Sequence, residues 1–155
     1  LHSNGVTLVA GPSAVTGQLY DYNGTDYLIV DNSTIAAKKT EDIVTTRVTD
    51  MRILFYADAL FNQNVSSWDT SAVTNMSEMF KFASTFNQDI GNWNIAAVTN
   101  MSSMFNYATA FNQNLSRWCV QTHFDIEPIQ FKQGAKVTWR IDPLKQPDWS
   151  GDSCP

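Results

Sequence analysis

The chain has 155 residues, a length that suits one domain. Ten basic and fifteen acidic residues give a net charge of −5, which argues against a nucleic-acid footprint and against an anionic membrane surface. Charged residues make up only 16% of the chain, with Asn, Gln, Ser and Thr in their place. No apolar run approaches the ~20 residues of a membrane helix, so no membrane insertion is expected.

Residues 1–43 read as an N-terminal cap. Gly5–Gly24 carries β-type residues and turn signals such as Tyr22-Asn23-Gly24, which fit a hairpin or extra edge strands. Tyr27-Leu28-Ile29-Val30 reads as a strand. Asp31-Asn32 stands where it can cap a helix across Ser33–Lys39. The stretch from Val44 to Met51 then anticipates the rhythm of Ala97-Val98-Thr99-Asn100-Met101, so a degenerate coil precedes the first regular one.

Residues 44–118 hold the repeats. Three copies of one pattern run in register every 25 residues, beginning at Met51, Met76 and Met101. A fixed period of this size is the signature of stacked repeat architectures, in which each unit buries its apolar face on its neighbours. The columns are Met51, Met76 and Met101; Leu54, Met79 and Met104; Phe55, Phe80 and Phe105; Asp58, Ala83 and Ala108; and Phe61, Phe86 and Phe111. Their spacing is helical, which predicts short helices at Ser77–Phe86 and Ser102–Phe111 and an irregular one in the first repeat. Asn75 and Asn100 are the candidate caps.

The second half of each repeat opens on Phe-Asn-Gln at Phe61, Phe86 and Phe111 and then alternates. The alternation predicts short strands in parallel ladders, pairing residues such as Val73 and Val98, with Asn62, Asn87 and Asn112 stacked as amides. Trp68, Trp93 and Trp118 suggest either a carbohydrate platform or core, and their place in the most regular part of the unit favours core. The Met column reads as core filler.

Residues 119–155 read as an irregular C-terminal cap over the third repeat. Cys119 and Cys154 bracket it and are the chain's two cysteines. If bonded, they close a loop of about 36 residues, worth roughly 3–4 kcal/mol in the chain-entropy account; two separate buried thiols are the alternative. A disulfide points to an oxidising compartment. The chain does not begin with Met, and its start is expected to be processed or excised from a longer chain.

The run Val-Thr-Asn-Met-Ser-x-Met-Phe, then Ala-x-x-Phe-Asn-Gln-Asp/Asn, Trp and Val-Thr-Asn, resembles the BspA-type surface-protein repeat, strongly over Val44–Cys119. Trp118-Cys119-Val120, Pro128, Phe131 and the stretch from Pro147 through Trp149 to Cys154-Pro155 resemble that family's closing segment, and Tyr27–Asp31 the lead-in to its repeats. The resemblance implies a secreted or surface location and adhesion or ligand binding. It supplies no catalytic residues.

Chemistry is sparse. His123, Asp125 and Glu127 match no strong metal spacing and read as a solvated loop, and His2 lies near the chain start. The Asn64, Asp89, Asn114 column, with Asp69 and Asn94 nearby, offers oxygens but only one carboxylate per column, too few for Ca²⁺. No catalytic set, cofactor or metal site is expected, and the chain reads as no enzyme. Asn23, Asn32, Asn64, Asn75, Asn100 and Asn114 stand in Asn-x-Ser/Thr sites, which matter only in a eukaryotic secretory pathway. Tyr56, Phe82 and Tyr107 lie off the apolar stripe. They form a candidate binding row, or else cover the flanks of neighbouring coils.

The expected fold is therefore α/β: a short leucine-rich-repeat-like solenoid of 25-residue coils, each with one short helix and ladder strands, capped at both ends. The expected function is an extracellular or cell-surface adhesion module that recognises protein or glycan through several coils. The alternative is a structural subunit or spacer that assembles with copies of itself or other subunits.

Overall fold

The structure, a computed structural model, describes residues 2–3, 8–39, 42–119 and 127–149. Two short strands, β1 (His2–Ser3) and β2 (Leu8–Val9), pair antiparallel. A three-stranded mixed sheet follows. β3 (Leu19–Tyr22) and β4 (Thr25–Asp31) form a hairpin that closes where Tyr22 pairs with Thr25. Asn23 and Gly24 take φ of 54° and 80°, the left-handed pair that a two-residue hairpin turn requires. The chain then passes through α1 (Ile35–Lys38) and returns as β5 (Ile43–Arg47), parallel to β4. Asp31 shapes the turn into α1, its Oδ1 accepting the N–H and hydroxyl of Ser33 at 3.0 and 2.7 Å.

The leucine-rich-repeat-like α/β solenoid expected from the periodicity, with a helix in each coil, is not formed. Among the described residues the helices are α1, α2 (Val137–Arg140) and a 3-10 turn at Pro143–Lys145, and none lies within a repeat. Among the described residues the strands all precede residue 48. Residues 77–86 and 102–111, read as helices from their spacing, are runs of turns.

The hydrogen bonds give the reason. In an α-helix each N–H turns back along its own segment. Here alternate N–H groups leave the repeat. Ile53, Phe55 and Ala57 donate to the carbonyls of Ser77, Met79 and Lys81, and Glu78, Phe80 and Phe82 donate to Ser102, Met104 and Asn106. Between them, Leu54, Tyr56 and Asp58 donate three residues back. The backbone reaches this pattern through a left-handed residue at every fourth position: Ile53 and Ala57, Glu78 and Phe82, Ser103 and Tyr107. Two such residues cost about 2–4 kcal/mol per repeat. Burying the two phenylalanines of each repeat contributes about 3–6 kcal/mol, enough to offset a strain of that order.

The expected ladder strands fail for a related reason. Between repeats they reduce to isolated parallel bridges, Asp50 with Asn75 and Asn75 with Asn100. Side chains take over the local backbone instead. Asn64, Asp89 and Asn114 accept through Oδ1 from the N–H two residues on, as do Asp69 and Asn94. These Asx turns compete with a ladder and win. The same bonds engage the Oδ1 atoms of the residues weighed above as Ca²⁺ ligands.

The core runs through the repeats in stacked columns. Phe55, Phe80 and Phe105 lie 5.3 and 5.7 Å apart, and Phe61, Phe86 and Phe111 repeat at 5.8 Å. Met51, Met76, Met101, Trp93 and Trp118 are buried beside them. The tryptophans are thus core, and Trp118 Nε1 is held by the Ile90 carbonyl at 3.0 Å. Asn62 and Asn87 link repeats as expected of stacked amides, each Oδ1 accepting from the N–H of the Asn 25 residues on, at 2.9 and 2.8 Å. Asn112, last in the row, accepts from Lys145 Nζ at 3.2 Å.

The C-terminal segment, expected to be irregular, begins as one more layer of the same kind. Ser103, Phe105 and Tyr107 donate to the carbonyls of Ile129, Phe131 and Gln133. Gln130 and Gly134 take the left-handed positions, with φ of 55° and 70°. Phe131 and Ala135 are buried in this layer, and Trp139 packs edge-on against Phe111 at 4.8 Å. Cys119 is disulfide-bonded; Cys154, the other cysteine of the sequence, lies outside the described residues.

Candidate functional site

Tyr56, Phe82 and Tyr107 come together in one row across three repeats. Phe82 and Tyr107 are themselves left-handed residues, with φ of 63° and 57°. A helix would have placed them differently. Their exposures are 45, 40 and 47%, while Phe80, Phe86, Phe105 and Phe111 are at 0%. Tyr56 meets Phe82 edge-on at 5.9 Å and 88°, and Phe82 stacks on Tyr107 at 5.4 Å and 21°.

Two neighbours that the sequence reading did not single out complete the row. Lys81 Nζ stands 5.7 Å from the rings of both Tyr56 and Phe82 and bridges to Glu78 at 2.7 Å. The Glu78 hydrogen bond raises the Lys81 pKa above its ordinary value, so the ammonium stays charged beside the rings. At the other end Tyr107 lies against Gly134. A Cβ at that glycine would stand 2.6 Å from Tyr107 Cδ1, and its φ of 70° favours glycine as well. The signal for Gly134 was present as Pro128-x-x-Phe131 followed by Ala135, the repeat's own spacing with Lys132 in place of a phenylalanine.

The other candidates are dispersed. Asn64, Asn75, Asn100 and Asn114 use Oδ1 to accept from the N–H two residues on. Asn32 Oδ1 accepts from Thr49 and Asp50, and Asn23 sits in the β3–β4 turn. His123 and Asp125 lie outside the described residues, and Glu127 pairs with Lys132 at 2.8 Å. Among the described residues no three His, Cys, Asp or Glu side chains gather as a metal site. A cleft of about 390 Å³ separates α1 from the first repeat, with Ile35, Lys39, Arg52 and Ile53 on its walls. None of these places assembles a nucleophile with a base.

Residues 26–141 match the protein family described as Mycoplasma protein of unknown function, DUF285, and the chain belongs to that family. No curated protein and no solved structure matches the chain.

Proposed function

We propose that the chain is an extracellular or cell-surface binding module, an adhesion domain that engages protein or glycan through the Tyr56–Phe82–Tyr107 row. One observation carries this reading. The row keeps three aromatic rings about half exposed and in contact across three repeats, where the other phenylalanines of the same repeats are all buried. Exposed aromatics in contact with one another are a common anchor for a partner. The resemblance to BspA-type surface repeats supports the same reading. The role is binding and not catalysis.

The test is a surface-binding panel of immobilised glycans and extracellular proteins, probed with the chain and with the Phe82→Ser/Tyr107→Ser double variant. Saturable binding that the double variant loses, with its melting temperature kept, is the expected result. Binding that ignores the double variant, or no saturable binding, would overturn the proposal.

A second reading, a structural subunit that assembles with copies of itself, draws on the first repeat. Leu60 is 88% exposed and Ile53 56%, at positions where the second repeat carries Thr85 and Glu78. Concentration-dependent assembly in sedimentation, lost in Leu60→Asp, would favour it.

A further inference from the structure

Along the turn segment that carries the left-handed residues, every junction between layers has the same polarity. The N–H groups at three alternate positions of one layer donate to three carbonyls of the next, and this holds from the first repeat through to the layer that begins at Pro128. In that last layer the equivalent positions are Gln130, Lys132 and Gly134. Their N–H groups have no acceptor among the described residues. Gln130 and Gly134 nevertheless keep the left-handed geometry that aims such donors in the preceding layers. Among the described residues the edge is therefore a row of three donors on a backbone already shaped to use them. Ile129 beside it is 79% exposed, where the three repeats carry Arg52, Ser77 and Ser102.

The chemistry of this edge narrows its partner. Donors alone call for an acceptor row, and main-chain carbonyls at two-residue spacing are what each internal junction supplies. A second copy of the chain offers such carbonyls at its first repeat. There, however, Lys39 Nζ already holds the Leu54 carbonyl at 2.8 Å, and Ile35 and Ala36 of α1 share the cleft beside it. Charge points to another protein. Residues 127–149 carry four basic and three acidic side chains, while the other 132 residues carry six and twelve. Lys136 and Arg140 of this segment make no ion pair among the described residues.

The edge is also continuous with the aromatic row, because Tyr107 lies against Gly134. The row's geometry suits polypeptide better than sugar. Phe82 and Tyr107 stack on each other, Phe82 also meets Tyr56, and Tyr107 lies against Gly134, so the facing surfaces of Phe82 and Tyr107 are taken. A sugar ring stacks on an open aromatic face, and two of the three rings here each give one face to the other.

We infer that the partner is an acidic polypeptide segment that lies along the edge of the last layer, its main-chain carbonyls accepting the N–H groups of Gln130, Lys132 and Gly134 while its side chains reach Ile129 and Tyr107. This rests on the aromatic row being a binding surface and names what it binds. The mode is the turn-built counterpart of strand addition at a sheet edge, with affinity from main-chain bonds and selectivity from flanking side chains.

The experiment selects a displayed library of random linear peptides on the full chain, then titrates the best binder as a synthetic peptide at two salt concentrations. An acid-rich binder that weakens with salt is the expected result. It should slow hydrogen exchange at the amides of Gln130, Lys132 and Gly134. Ile129→Asp and Lys136→Glu, both at exposed positions, should each weaken it roughly tenfold without moving the melting temperature. A binder lost in Tyr107→Ser that ignores Ile129→Asp and protects none of the three amides overturns this inference and leaves the row as a binding site. A saturable glycan with no selectable peptide does the same. A peptide that ignores the row and the edge alike overturns both.

Discussion

The indole Nε1 of Trp93 donates to the carbonyl of Val65, 28 residues earlier and 3.1 Å away. Both groups are buried, so the bond joins two repeats from inside the core. Trp93→Phe gives up some packing and in addition strands the carbonyl, which costs about 1–3 kcal/mol more. Trp139 is the control. Its Nε1 is buried with no partner among the described residues, so Trp139→Phe is expected to give up packing alone and lose less than Trp93→Phe. Urea unfolding of the two variants checks the difference.

Left-handed backbone at non-glycine residues is a reserve of stability. Ile53 is β-branched, half-exposed and at φ 52°. Ile53→Asn should raise stability by about 1 kcal/mol, since Asn tolerates that region better. Gly134→Ala should act in the opposite sense and lower the melting temperature, because the new Cβ meets Tyr107. Thermal melts of both variants measure the two effects.

Cys119 is expected to bond with Cys154, the other cysteine in the chain. Cys154→Ser, or reduction of the wild type, should cost roughly 2–5 kcal/mol. Denaturation with and without reductant measures it, and mass spectrometry showing two free thiols in natively purified protein would refute the pairing.

Asp31 gives a pH dependence. The hydrogen bond from the Ser33 hydroxyl, with further bonds from the Ser33 N–H and from Thr34, holds its carboxyl below the ordinary aspartate value, outweighing burial, which raises it. A depressed folded pKa stabilises fully above the unfolded aspartate pKa, and the contribution fades as pH falls through the folded value. Ser33→Ala should therefore lower the melting temperature at neutral pH and flatten the acid limb, the two proteins converging as pH falls through the folded value.

The columns were legible in the sequence because Met, Phe and Trp recur at one spacing, and those side chains are buried. The β3–β4 hairpin was legible from Asn23-Gly24, whose turn chemistry is local. The helices were misread because a four-residue turn alternation and a 3.6-residue helix place apolar side chains alike over ten residues. What separates the two is φ at Ile53, Glu78 and Ser103, and none of these residue types announces a left-handed backbone. The last layer was hidden by Lys132, which takes the phenylalanine's position. Tyr56, Phe82 and Tyr107 could be named from their offset. Their stacking, and the parts played by Lys81 and Gly134, could not, because both depend on that unannounced backbone.

The junctions also bear on heredity. Met76–Asn100 begins and ends at equivalent points of the same hydrogen-bond pattern. An in-frame duplication or loss of such a unit recreates junctions that already exist, so repeat number is a quantity that recombination can change freely. An insertion of a few residues inside a unit displaces donors from acceptors at two junctions at once. Genes of this design should differ from one another in whole multiples of 25 codons, and the reach of the molecule should be inherited as a count.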